Sequence, residues 1–307
     1  MRTNKALSNF IFIVFSFIVI TILSPILSIV LGILFASLYR DNANIISKKI
    51  ASYPLQIGIV LLGLTITLDS LLPIVKDYFI WVSFFVIFSF IICYLIGRRL
   101  GLDNKLILLL SSGSAICGAT AMALVSPLIK AKAETLMISL AIIFTLNTVA
   151  IILFPFFGTY LNMSDYEFGI FTALAIHDTG SVVGSALQFS DNSVEYAASL
   201  KILRTLWLIP LIIFLNFKFN TINSKKSFPI FILFFIVAVI YSNSISLSYE
   251  TIIKLKILSK IFISYGIFSI GLQSGALDLR DIKCKPFMVA TSVWIIVIPV
   301  AYLISIN

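Results

Sequence analysis

The chain has 307 residues, 60% of them hydrophobic and only 11% charged, with a net charge of +9 and a mean hydropathy of +1.11. A soluble domain carries about 25% charged residues, so this surface cannot be covered in water and lipid is the solvent that fits. The positive charge does not mark a nucleic-acid protein: Lys and Arg stand in short loops between apolar runs and form no stripe. Three cysteines (Cys93, Cys117, Cys284) give neither a disulfide framework nor a metal pattern.

A bilayer core of roughly 30 Å takes about 20 helical residues per crossing. Charges, prolines and loop composition then predict an all-α integral membrane protein, a single transmembrane domain over 1–307. Its eleven spans fall near 8–23, 25–39, 53–72, 78–97, 105–129, 135–157, 166–189, 195–217, 228–246, 257–276 and 286–306. Met1 to Lys5 followed by an apolar run has the look of a signal peptide, but no small-residue cleavage site precedes a soluble chain, so a retained first helix is expected. The uncharged run 7–39 would overshoot the bilayer as one helix, and Ser24-Pro25 at its middle predicts a tight hairpin.

With the N-terminus inside, the cytoplasmic segments 1–7, 40–52, 98–104, 158–165, 218–227 and 277–285 hold thirteen Lys and Arg, against five in the opposite loops. That bias sets the orientation by the positive-inside rule, with the C-terminus outside, and implies a multi-pass protein of the inner (plasma) membrane. Gly58-Ile-Val-Leu-Leu-Gly63-Leu64 is echoed by Gly266-Ile-Phe-Ser-Ile-Gly271-Leu272. Such an echo is what an inverted repeat would leave, although glycine is common in membrane helices.

Three midspan segments carry the chemistry. From Ser111 to Ala121, nine of eleven residues are Gly, Ala, Ser or Thr. Close helix packing would explain them; so would a discontinuous helix whose freed backbone faces a cavity, with Ser114, Gly118 and Thr120 as binding groups. The second segment is Ala175-Ile-His177-Asp178-Thr-Gly180-Ser181-Val-Val-Gly184-Ser185, which holds the sole histidine beside a carboxylate. An intramembrane ionisable pair is costly, so it either ties helices together or moves protons, with His177 and Asp178 as the coupling groups and Ser181 beside them. The helical hydrogen bonding is expected to break near 113–118 and 178–184.

The third segment is Lys201-Ile-Leu-Arg204. Positions three apart share a helix face, and Arg204 falls about 15 Å into its span, too deep for snorkelling to help. With Asp178 offsetting one cation, a surplus of one positive charge suits an anion held by Lys201 and Arg204, whose planar fork matches an oxyanion. A salt bridge from Asp178 to either cation would be the purely structural alternative.

These segments also carry a resemblance. The run Gly97-Arg-Arg-Leu-Gly101-Leu-Asp103, then SGSAICGATAMALVSPLIKA, IHDTGSVV and LKILRTLWLIP, with GIVLLGLTITL upstream, resemble the YeiH-like membrane family described as sulfate exporters. The likeness runs from about residue 30 onward. Ser181 and Asn147 depart from the family's pattern, which often has Gln and Gly there.

The resemblance implies the fold of bile-acid symporters and cation/proton antiporters, with inverted repeats and crossed broken helices. It implies export of sulfate or a related sulfur oxyanion, driven by an ion gradient. The expected partners are therefore the lipid bilayer, a small inorganic or organic anion, and H+ or Na+ as coupling ion; a homo-oligomer stays open. A cation/proton antiporter using Asp178 is the alternative, and a membrane-embedded enzyme the remote one. No nucleotide-binding, metal or cofactor motif appears, and no catalytic residue is assigned.

Overall fold

In the computed structural model, residues 5–50, 53–219, 230–245, 247–276 and 284–306 are described. The cytoplasmic segments predicted at 218–227 and 277–285, and most of 1–7, lie largely outside them. Among the described residues every regular element is helical. The chain opens with α1 (Lys5–Ile22) and α2 (Pro25–Leu38). The predicted hairpin forms because Ser24 caps α2, its hydroxyl accepting from the Leu27 N–H, and Pro25 occupies the first helical turn, where its missing N–H is no loss. A short polar helix, α3 (Arg40–Ile50), follows; Arg40 Nε donates to the Ala276 carbonyl.

The next reversal is not where the sequence put it. The predicted span 53–72 stops early as α4 (Tyr53–Gly63), and α5 (Leu68–Arg99) starts well before the predicted 78. Gly63 lets α4 end against the Phe235 ring, and the Thr65 hydroxyl takes the Leu62 carbonyl. The Asn243 side chain then accepts the first N–H of α5, that of Leu68. Pro73 is the sixth residue of α5 and starts no turn there. At eleven residues α4 is about 16 Å long and reaches only half-way through a bilayer.

Two segments predicted as spans, 105–129 and 166–189, instead break at their middle and turn back as re-entrant hairpins. Lys105 Nζ donates to the Lys130 carbonyl, Asn192 donates to the Asp165 carboxylate, and the Phe168 and Phe189 rings stack 4.0 Å apart. The first is α6 (Asn104–Ser112), a π turn over Gly113–Cys117, and α7 (Ala119–Leu128). After α8 (Ala133–Tyr160) comes the second, α9 (Asp165–Ala175) and α10 (Thr179–Phe189). Asp103 caps α6, and a Ser164/Glu167 capping box starts α9. Because the second hairpin returns to the side it left, the loop predicted as cytoplasmic at 158–165 stands with Asn192 on the opposite side. The predicted span 195–217 is α11 (Ser193–Leu206) and α12 (Leu208–Phe219), parted at Trp207 because Pro210 has no N–H for the carbonyl four residues back. The chain then runs through α13 (Ile230–Ser244), α14 (Tyr249–Ala276) and α15 (Cys284–Ser305).

Among the described residues, five segments are long and apolar enough to cross a membrane: Leu71–Arg99, Ala133–Tyr160, Ser193–Phe219, Tyr249–Ala276 and Cys284–Ser305. Large apolar side chains such as Phe17, Ile80, Phe156, Phe217 and Ile295 point outward, as lipid allows.

One packed group joins α14 to α1, α2, α3 and α4; another joins α9, α10 and α11 to α5, α8 and α15. In the first, backbones touch. The Gly32 Cβ position lies 2.8 Å from Gly271 Cα, so a side chain on either glycine would drive α2 off α14. The glycine echo therefore has a packing reason. Gly58 faces Ile263 while Gly266 faces Leu55, which also shows that α4 and α14 run antiparallel.

Candidate functional site

The two breaks meet. At Gly118 the backbone turns to φ 57°, ψ −121°, a conformation reserved to glycine, and its Cβ position lies 3.1 Å from Asp178 Cβ. The interruption at 113–118 is where the sequence placed it. The second lies at 176–178, at the leading edge of the expected 178–184, because Asp178 itself is the N-cap. One carboxylate oxygen accepts the N–H groups of Gly180 (2.9 Å) and Ser181 (3.1 Å), so α10 runs unbroken from Thr179. Its glycines serve packing: Gly180 against Leu55, Gly184 against Ile267.

Each hairpin leaves two kinds of helix end at its tip, and the structure separates them. The carbonyl ends of the first halves converge on Arg204, which is wholly buried. Its guanidinium donates to the carbonyls of Ser114 and Ala115 from the π turn and of Ala173, Leu174 and Ile176 from the end of α9, at 2.5–3.1 Å. The Phe85 ring lies 5.2 Å from the same guanidinium carbon. Lys201, one turn earlier and equally buried, donates to the Ile176 carbonyl at 2.8 Å. Helix C-termini carry partial negative charge, and here two cations answer it.

The starting ends of the second halves face the other way. Ala119 and Thr120 of α7, with Asp178, Thr179 and Gly180, line one wall of a cavity of about 440 Å3. Gln56, Gln273 and Asn44 add polar groups, and Met137, Leu140, Phe144 and Phe231 make an apolar wall. The N-terminus of α7 has no side-chain cap.

The anticipated site residues thus divide. Thr120 and Asp178 line the cavity, and Gly118 forms the hinge beside it. Ser181 is buried and gives its hydroxyl to the second Asp178 oxygen. Ser114 is buried in the π turn, with its carbonyl held by Arg204. Lys201 and Arg204 stand behind the crossing, not in the cavity wall, and neither pairs with Asp178 within ion-pair distance. His177 turns inward, away from its neighbour, to place Nδ1 3.1 Å from the Asn147 Oδ1, with Trp294 alongside.

Asn147 is the residue that sequence reasoning passed over as a ligand. Its Oδ1 also accepts the His177 N–H (3.2 Å), and its amide nitrogen donates to Asp178. The only carboxamide of α8, at the middle of that helix, was the available signal. Trp294, whose indole N–H donates to the Ala175 carbonyl at 2.9 Å, gave none.

Two opposed re-entrant hairpins whose tips meet inside an apolar helical shell define a multi-pass membrane protein with a polar centre. A model of the family "Conserved hypothetical protein 698" matches residues 6–290. UPF0324 membrane proteins share the sequence broadly. The one from Bacteroides thetaiotaomicron is 32% identical over 89% of this chain and 84% of its own length. The Shewanella oneidensis protein is 34% identical over 87% and 85%, and that of Photobacterium profundum 31% over 95% and 89%. The chain belongs to this family, as the ICGA and His-Asp motifs had indicated. No solved structure matches it.

Proposed function

We propose that the protein is a secondary transporter that carries a small anion through the cavity at the helix crossing, driven by an ion gradient. The observation that carries this reading is the segregation of helix ends. The carbonyl ends are neutralised by two buried cations, while an uncapped helix start faces a cavity that also holds polar side chains. N–H groups and the positive dipole end of α7 suit an anion at Ala119 and Thr120. Lys201 and Arg204 contribute through their field instead of by contact: with Asp178 they leave one positive charge in excess, weakly screened in a dry interior.

The substrate class is a sulfur oxyanion such as sulfate, or a small organic anion whose carbon part would meet Phe144 and Leu140. Coupling is to H+ or Na+, and the chain His177–Asn147–Asp178 is where a proton gradient would act. The cation/proton antiporter reading fits less well, because both Asp178 oxygens already accept N–H or O–H donors and a cation would have to displace them.

The test is uptake and counterflow of radiolabelled sulfate, sulfite and organosulfonates in proteoliposomes, with and without imposed pH and sodium gradients. Anion counterflow that is abolished by Thr120→Val supports the assignment. Flux of Na+ or K+ against protons, with no anion movement, would replace it by the antiporter.

A further inference from the structure

A second open cavity, of about 590 Å3, lies along the same seam as the first. Its walls include Leu62 of α4, Leu187 of α10 and Ile263 of α14, with Asp191, Glu195 and Lys260 at its mouth. The same three helices line the crossing cavity, through Leu55 and Ile59, Gly180, and Gly266 and Ile270. Because α4 and α14 are antiparallel, the order of these residues puts the two cavities on opposite sides of one level. Between the linings, α14 advances from Ile263 to Gly266 and α10 from Gly180 to Leu187, rises of about 4.5 and about 10 Å. The septum is therefore one to two helical turns thick.

Its contents are apolar. Ile267 of α14 reaches Gly184 so closely that a Cβ there would lie 2.7 Å from Ile267 Cδ1. At the crossing-cavity end, Leu55 of α4 and Ile270 of α14 close on Gly180 in the same way. Two glycines one turn apart give α10 a groove without side chains, and branched side chains of the facing helices fill it. An apolar constriction of this thickness excludes water and ions while its walls touch. Across the mouth, Lys260 of α14 forms an ion pair with Asp191 in the turn after α10, joining the same two walls. That pair is partly exposed, so it is weak and readily parted.

We propose that the second cavity is the opposite mouth of the transport pathway, and that Ile267 seated on Gly184 forms the gate between the two mouths, with Leu55 and Ile270 over Gly180 on its crossing-cavity side. This rests on the transport reading above. On the orientation predicted by the Lys/Arg bias, the start of α14 faces outside, so the second cavity opens outward and the crossing cavity toward the cytoplasm.

The experiment needs no transported solute. Cys284→Ser removes the exposed thiol, Cys93 and Cys117 being buried, and the full chain is reconstituted in oriented vesicles. A charged, membrane-impermeant methanethiosulfonate is expected to label Asn192→Cys only from outside and Gln273→Cys only from inside. Adding Ile267→Ala, which removes three buried carbons from the septum, should raise labelling of Gln273→Cys from outside about tenfold. Labelling of both thiols from the same side overturns the two-mouth assignment, and an unchanged rate with Ile267→Ala overturns the gate. The expected labelling without flux of any solute would overturn the transport reading alone.

Discussion

Arg204 gives the sharpest test of what holds the crossing together. Its substitution by Ala strips donors from five carbonyls that belong to two different broken helices. A buried polar group left without a partner costs about 1–3 kcal/mol, which sums to about 5–15 kcal/mol here. The sum is an upper bound, because Arg204→Ala also removes a buried charge that has no carboxylate beside it, and Ile176 keeps the Lys201 ammonium. Breaking a buried charged cluster by removing one member costs about 3–5 kcal/mol in practice, and that is the expected net loss. Lys at this position offers three donors from a single point and cannot span the two breaks, so about half the loss is expected. The assay is thermal unfolding of purified protein in detergent, followed by fluorescence-detected size exclusion. A fall in Tm on the order of 10 °C is expected for Arg204→Ala, with Arg204→Lys between it and wild type. If Arg204→Ala melted within a degree or two of wild type while anion binding vanished, the carbonyl clamp would be wrong and the guanidinium would belong to the substrate.

Lys201→Met should behave in the opposite way. The Ile176 carbonyl keeps its Arg204 donor at 3.1 Å and a buried charge is lost, so Tm should stay within a few degrees of wild type. Anion counterflow should fall steeply because the excess positive charge is gone; unchanged counterflow would remove the field argument. Gly118→Ala forces a side chain into φ 57°, ψ −121° and to 3.1 Å from Asp178, a strain of about 1–3 kcal/mol. It should lower both Tm and flux, and an unaffected Tm would show that the hinge backbone relaxes freely. Gly32→Leu must push α2 away from Gly271 and should prevent accumulation of folded monomer, judged by a monodisperse elution peak. A monodisperse variant with wild-type Tm would mean that the α2–α14 approach is dispensable.

The sequence alone determined the solvent, the helical class and the position of the first break. Composition leaves lipid as the medium, and lipid admits only structures that satisfy their own backbone, here helices. Gly113 and Gly118 among hydroxyl residues at midspan mark a place where that ladder can be interrupted, and Ser24-Pro25 marks a hairpin by its capping chemistry alone. These are local properties, legible wherever they occur.

What the buried charges do was not local. Lys201 and Arg204 read as a cationic face looking for an anion, yet their partners are carbonyls 25 to 90 residues away. Nothing in a sequence shows which backbone groups two distant breaks will leave unpaired at the same point. Asp178 and His177, adjacent in the chain, likewise part company because an extended Ile176–Asp178 link points successive side chains to opposite sides, one to the cavity and one to Asn147. The turn after Gly63 was missed for the same reason: Asn243 and Phe235 of α13 fix it, and Pro73, the conspicuous local breaker, is tolerated near the start of α5. Only the meeting of the two hairpin tips decided which polar groups line the cavity and which hold it open.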